Sequence, residues 1–180
     1  MGKPEELFQE TLDFFDGEGI RYSIINREDN FCVLRFAPSS FKDDGGIRTK
    51  VFIDFDEREE SDGSVTVHFA SLSAAKCEDD RIPEAMVRIN EMNKRYRWIK
   101  FWFDPNDNTI NVDADAIVFT GSVGKECKQY AMRMSNILED ALIDMKDIFP
   151  ASDDDGGDAP SPDELRSMLE ALMALLGDSE

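Results

Sequence analysis

The sequence predicts an α+β protein: an antiparallel sheet of five to six strands packed by three helices, with a further amphipathic helix near the C-terminus. Three observations predict it. Apolar residues recur at helical spacing in three long stretches, and between those stretches they alternate with period two. The connectors between alternating stretches are short and rich in Asp, Asn and Gly, which makes hairpins and therefore antiparallel neighbours. Hairpin runs interrupted by helices are the pattern of an α+β fold rather than of a parallel α/β sheet.

The first helix runs from about Pro4 to Asp16. Pro4 fits a first-turn position, Glu5 and Glu6 suit the positive end of the helix dipole, and Gly17 ends the run. Leu7, Phe8, Leu12 and Phe15 form its apolar stripe. Period-two alternation follows at Ile20, Tyr22 and Ile24. Phe31 to Ala37, Lys50 to Asp56 and Ser64 to Leu72 are the next strands. Glu28-Asp29-Asn30, Asp43-Asp44-Gly45-Gly46 and Ser61-Asp62-Gly63 supply the turns. Pro83 opens a second helix to about Arg97, with Ile82, Met86, Ile89 and Tyr96 on one side. Strands at Ile99 to Asp104 and Thr109 to Phe119 flank the turn Pro105-Asn106-Asp107-Asn108. The longest helix, Gly124 to Phe149, carries the stripe Cys127, Tyr130, Ala131, Met134, Ile137, Leu138, Ala141, Leu142, Met145 and Ile148.

Composition changes after residue 149, dividing the chain into a domain over 1–149, an acidic linker over 150–160 and an amphipathic helix over 161–177. The linker has no large apolar side chain and is expected to be disordered. Ser161-Pro162-Asp163-Glu164 is a capping box. The helix after it has the stripe Leu165, Met168, Leu169, Leu172, Met173 and Leu176, and at about four turns it is marginal alone in water, so the stripe is expected to dock on something.

Charge limits the function. The 180 residues hold 20 Lys and Arg against 39 Asp and Glu, a net charge of −19. No basic stripe offsets it, so nucleic acid and anionic membrane surfaces are not expected partners. Residues 151–180 have nine acids and one base, so −8 of the −19 sits on one sixth of the chain. No apolar run reaches the ~18 residues that span a bilayer, and the N-terminus lacks a signal-peptide pattern, which points to a cytoplasmic protein. Cys32, Cys77 and Cys127 have no CxxC spacing and read as buried bystander thiols.

One sheet face is consistently apolar: Ile20, Tyr22, Ile24, Val51, Ile53, Phe55, Val65, Val67, Phe69, Ile99, Phe101 and Phe103. The other is mixed. It carries Arg21, Asp54, Thr66, His68, Lys100 and Asp113, but also Ile25, Phe52 and Trp102, and the second strand adds either Phe31 and Val33 or Cys32, Leu34 and Phe36. Large aromatics on a mixed face suit a partner chain or a docked helix.

No catalytic motif appears. His68 is the single histidine and lies mid-strand, where a hydrogen-bonded surface or interface role fits better than catalysis. Gly121-Ser122-Val123-Gly124-Lys125 has a phosphate-loop setting, but Phe119 stands where the first glycine belongs and Glu126 where the Mg²⁺-binding hydroxyl belongs. Asp104 to Asn108 and the linker acids Asp153, Asp155 and Glu164 start like calcium loops and fail at the shaping positions: Thr109 and Asp158 replace the glycine. Asp54 with Asp56, and Asp113 with Asp115, are same-face pairs with which no histidine, lysine or glycine feature converges in sequence. No metal or cofactor site is expected.

From Arg88 to Phe119 the chain resembles a known family. Asn90 and Asn93 late in a helix precede Ile99-Lys100-Phe101-Trp102-Phe103, an asparagine-rich turn, and Thr109-Ile110-Asn111-Val112. This resembles the YbjN-like family, bacterial proteins labelled as candidate sensory transduction regulators, whose fold is similar to that of type III secretion chaperones. The resemblance covers about residues 5–149. It implies a small, cytoplasmic, dimeric, non-enzymatic protein and supplies no catalytic residues. The expected function is therefore a protein-interaction module, chaperone- or regulator-like. It would form a homodimer through the mixed sheet face, using Phe52 and Trp102. The terminal helix, using Leu165, Met168, Leu169, Leu172, Met173 and Leu176, would hold a further protein partner or dock on the chain itself. The alternative is an acidic-cluster enzyme or divalent-cation-binding protein.

Overall fold

A computed structural model describes residues 3–27, 30–36, 49–59 and 62–149. The linker over 150–160, the helix over 161–177 with Leu165, Met168, Leu169, Leu172, Met173 and Leu176, and the turn at Asp43 to Gly46 lie outside the described residues. The elements are α1 (Lys3–Gly17), β1 (Tyr22–Asn26), β2 (Phe31–Phe36), β3 (Thr49–Glu59), β4 (Val65–Lys76), α2 (Ile82–Arg95), β5 (Lys100–Asp104), β6 (Thr109–Val118) and α3 (Val123–Asp144). The six strands form one antiparallel sheet in the order β1-β2-β3-β4-β6-β5. The fold is thus the α+β class that alternation and short connectors predict. None of the described helices is long and apolar enough to cross a membrane.

The main core lies between one sheet face and the helices. Leu7, Phe8, Leu12 and Phe15 of α1 and Cys127, Ala131, Met134, Leu138 and Leu142 of α3 meet Val51, Ile53, Phe55, Val65, Val67 and Phe69 of the central strands. These are the stripes that period 3.6 and period two place on facing surfaces. The registers Cys32 to Ile53 and Ile24 to Cys32 put Cys32 on the helix-covered face, which assigns Phe31 to the other.

The boundaries differ where local geometry overrides the pattern. The first strand is Tyr22–Asn26 rather than Ile20–Ile24, because α1 ends through a turn in which the Ile20 amide bonds the Phe15 carbonyl, 2.9 Å. Ile24 sits at the sheet edge and is exposed, not core. On α2 the buried stripe is Ala85, Ile89 and Met92, while Met86 faces out. α3 stops at Asp144, and a tight turn bonds the Ile148 and Phe149 amides to the Met145 carbonyl at 2.9 and 2.8 Å. That turn folds Met145, Ile148 and Phe149 into the core instead of carrying them along a helix.

Asn93 ties α2 to the edge of the sheet. Its side-chain amide donates to the Phe101 carbonyl at 2.9 Å, and its side-chain oxygen accepts from the Phe101 amide at 2.8 Å. The pair occupies edge groups that a further strand would otherwise use, so β5 is blocked as a pairing edge there. Asn93→Ala is expected to cost about 2 kcal/mol in urea unfolding, because two backbone groups lose their partners. Asn93→Asp should cost less, since a carboxylate still accepts from the Phe101 amide.

Candidate functional site

The described helices pack on one sheet face, and on the other register decides what meets. Asp54 of β3, His68 of β4 and Asp115 of β6 are direct cross-strand neighbours in one row. The adjoining row runs Phe52, Ala70, Asp113 and Lys100. Trp102 stands opposite Asn111 one step further. Phe31, Phe52 and Ala70 form a second, smaller apolar cluster, with Ile25, Leu72 and Trp102 packed around it, and no described helix residue belongs to it. The Phe31 and Phe52 rings are stacked, 5.9 Å between centroids and 9° apart in plane. The mixed face is therefore organised, with a polar row beside an aromatic cluster.

Phe52 is 6% exposed and Trp102 is half-buried. Phe52 is thus the floor of the cluster, and Trp102 is the part of it that reaches outward. Trp102 also lies close enough to Asp113 to draw its carboxyl pKa down against the larger upward effect of burial.

The polar row is where sequence and structure part. The carboxylate pairs do converge with the histidine: His68 lies among Asp54, Asp113 and Asp115, and Lys100 faces Asp113 from β5. His68 Nδ1 is 2.7 Å from an Asp115 oxygen. An ionised carboxylate only accepts, so Nδ1 carries the hydrogen. His68 Nε2 is buried and has no hydrogen-bond partner. Burial pulls the imidazole pKa down, but the Asp115 hydrogen bond and the charges of Asp115, Asp113 and Asp54 outweigh it, so the net shift is upward. The Asp115 carboxyl is held below its ordinary range by the same hydrogen bond, whereas burial raises that of Asp113. The sequence hides this convergence because β4 and β6 are neighbours in space with α2 and β5 between them in the chain.

β4 is irregular one step further along. The register shifts between Ser71 and Ala75, and Ser73 adopts φ +49°. The Asn111 side-chain oxygen accepts the Ser73 amide at 2.7 Å, and the Asn111 amide donates to the Thr109 hydroxyl at 3.3 Å. A bulge fixed by a buried asparagine bends the strand at the rim of the face. Asn93 and Asn111 belong to the spaced asparagines read from the sequence, and both serve backbone groups rather than a ligand.

The other candidates are used structurally. Asp104 and Asp107 accept from the Asn106 and Thr109 amides within the turn. Among the described residues no group of three or more His, Cys, Asp or Glu could hold a metal ion. In the phosphate-loop-like stretch, the Gly121 amide donates to Glu10 at 2.8 Å and the Ser122 hydroxyl to Glu126 at 2.7 Å. The three cysteines are buried and free. Burial pushes the Cys32 thiol up to about 12 and raises Cys77 and Cys127 as well, which removes them as nucleophiles at neutral pH.

No family model matches the chain, and no curated protein does. Among solved structures it is similar to YbjN from E. coli, a protein put forward as a transcription regulator. The TM-score is 0.50 at 12% identity, over 78% of this chain and 91% of that one. At that identity the likeness establishes a shared fold, which is the fold expected from the asparagine-bearing stretch Arg88 to Phe119.

Proposed function

We propose that the protein is a non-enzymatic, regulator-like interaction module whose sheet face opposite the described helices binds protein, in the first instance a second copy of this chain. The observation that carries the reading is the second apolar cluster, with Trp102 reaching outward from Phe31, Phe52 and Ala70 on a face to which no described helix contributes. Six strands of about eight residues on average, at ~3.3 Å per residue and ~4.8 Å between neighbours, give a face on the order of 700 Å². That is close to the roughly 800 Å² each partner contributes to a specific interface. The shared fold with a protein put forward as a regulator supports the reading, and the net charge of −19 directs the regulator role toward protein rather than nucleic acid. The C-terminal stretch with Leu165, Met168, Leu169, Leu172, Met173 and Leu176 supplies a second contact on an acidic tether, with its methionines making that contact adaptable.

The charge makes the self-association testable. Two chains of −19 repel each other, and salt screens that repulsion. Sedimentation of the full chain is expected to show self-association that strengthens severalfold from about 0.05 to 0.5 M NaCl. Association that weakens with salt would instead mark a contact between opposite charges and would contradict a dimer built on the aromatic cluster.

A further inference from the structure

We propose that His68 is a proton-operated element of the sheet: as an imidazolium it holds Asp54, Asp113 and Asp115 together across β3, β4 and β6, and loss of its proton loosens that centre. Register carries the inference. His68 has a carboxylate directly opposite on each side, Asp54 on β3 and Asp115 on β6, and Asp113 lies diagonally on β6. From β5, Lys100 faces Asp113. Further along β3, Asp56 and Lys50 share the face by period two. Among the described residues directly around His68, three carboxylates meet one lysine and the imidazole, so the imidazolium adds positive charge where carboxylates are in excess.

The imidazole is poorly placed to be neutral by accident of exposure. Its side chain is 14% exposed, and Nδ1 is fixed by the 2.7 Å bond to Asp115. In the neutral ring, Nε2 is a buried lone pair without a partner. What favours the charged ring is the Nδ1 bond to Asp115 together with the charges of Asp115, Asp113 and Asp54. The sign follows. A histidine whose folded pKa lies above its unfolded one contributes stability that is complete below the unfolded pKa. That contribution is lost as pH rises through the folded pKa. Since the folded value is raised above 6.5, the loss begins above that ordinary value, in the range where a cell's pH varies. No thiol competes, because all three are held high.

The chain has one histidine, so a single imidazole Cε1–H resonance reports the site without assignment. A proton NMR titration of the wild type is expected to give a midpoint above 6.5, and Asp115→Asn is expected to lower the proton affinity roughly tenfold. Thermal melting of the wild type is expected to fall by roughly 2–4 °C as pH rises through that midpoint, and His68→Gln should abolish the step. A wild-type midpoint at or below 6.5, or one that Asp115→Asn leaves in place, overturns the proposal. So does a melting step that persists in His68→Gln. If that variant does not fold, the titration of the wild type and Asp115→Asn still decides. A chain that titrates as expected when dilute but stays monomeric at micromolar concentration would contradict the proposed interface and not the role of His68.

Discussion

Phe52→Ala is expected to lower the free energy of unfolding by about 3–4 kcal/mol, the range for truncating a well-packed phenylalanine. Phe52 is 6% exposed, its ring stacks on Phe31, and Ala70, Ile25, Leu72 and Trp102 surround it. Truncation removes one half of the stack and leaves a void among strand residues, since every described member of the cluster lies on a strand. Phe52→Leu should recover more than half of the loss by filling most of that volume. Trp102→Ala should cost much less, since the indole is half-buried and its loss opens to the surface. Urea unfolding of the three variants measures this. An effect of Phe52→Ala below about 1 kcal/mol would mean that the second cluster is not a packed unit.

Gly124→Val is expected to cost about 3 kcal/mol. Gly124 begins α3 where α1 crosses it, and a Cβ there would sit 2.7 Å from Phe14 Cγ and nearer still to Phe14 Cβ. The obstruction is the root of the Phe14 side chain and not its flexible end, so relief requires the two helices to separate. Helix propensity points the other way, though at the second residue of α3 alanine gains less over glycine than the roughly 1 kcal/mol of a helix interior. Gly124→Ala therefore weighs packing against propensity, and a net loss of about 1 kcal/mol is expected. A stabilised Gly124→Ala protein would show that α1 and α3 are not in close contact at this point.

Gly124 also shows what a sequence can and cannot convey. The stretch Gly121 to Lys125 is legible as a turn followed by a helix start, and Gly121 does adopt φ +90°. That Gly124 is needed for the approach of α1, from the far end of the chain, is not local information. The same division holds for the sheet. Period two separates Val51, Ile53 and Phe55 from Phe52 and Asp54 without any structure, and the helix stripes predict what covers the first set. The second strand is ambiguous because Phe31 to Phe36 is apolar on both sides, and only its register with β3 decides that Cys32 takes the helix-covered face and Phe31 the other. His68 and Asp115 read as unrelated because their pairing depends on β6 inserting between β4 and β5. Asn93 and Asn111 are visible as a motif, but their task of satisfying the backbone of β5 and of the β4 bulge appears only with the fold.

The most direct test of the interaction face is sedimentation equilibrium of the full chain at micromolar concentration in moderate salt, beside Trp102→Ala and Val87→Ala. Val87 is exposed on α2, away from the face, and serves as the control. The wild type and Val87→Ala are expected at a mass near twice 20.4 kDa, with Trp102→Ala at 20.4 kDa. A wild type that stays at 20.4 kDa, or a dimer that Trp102→Ala leaves intact, would contradict an interface built on this face.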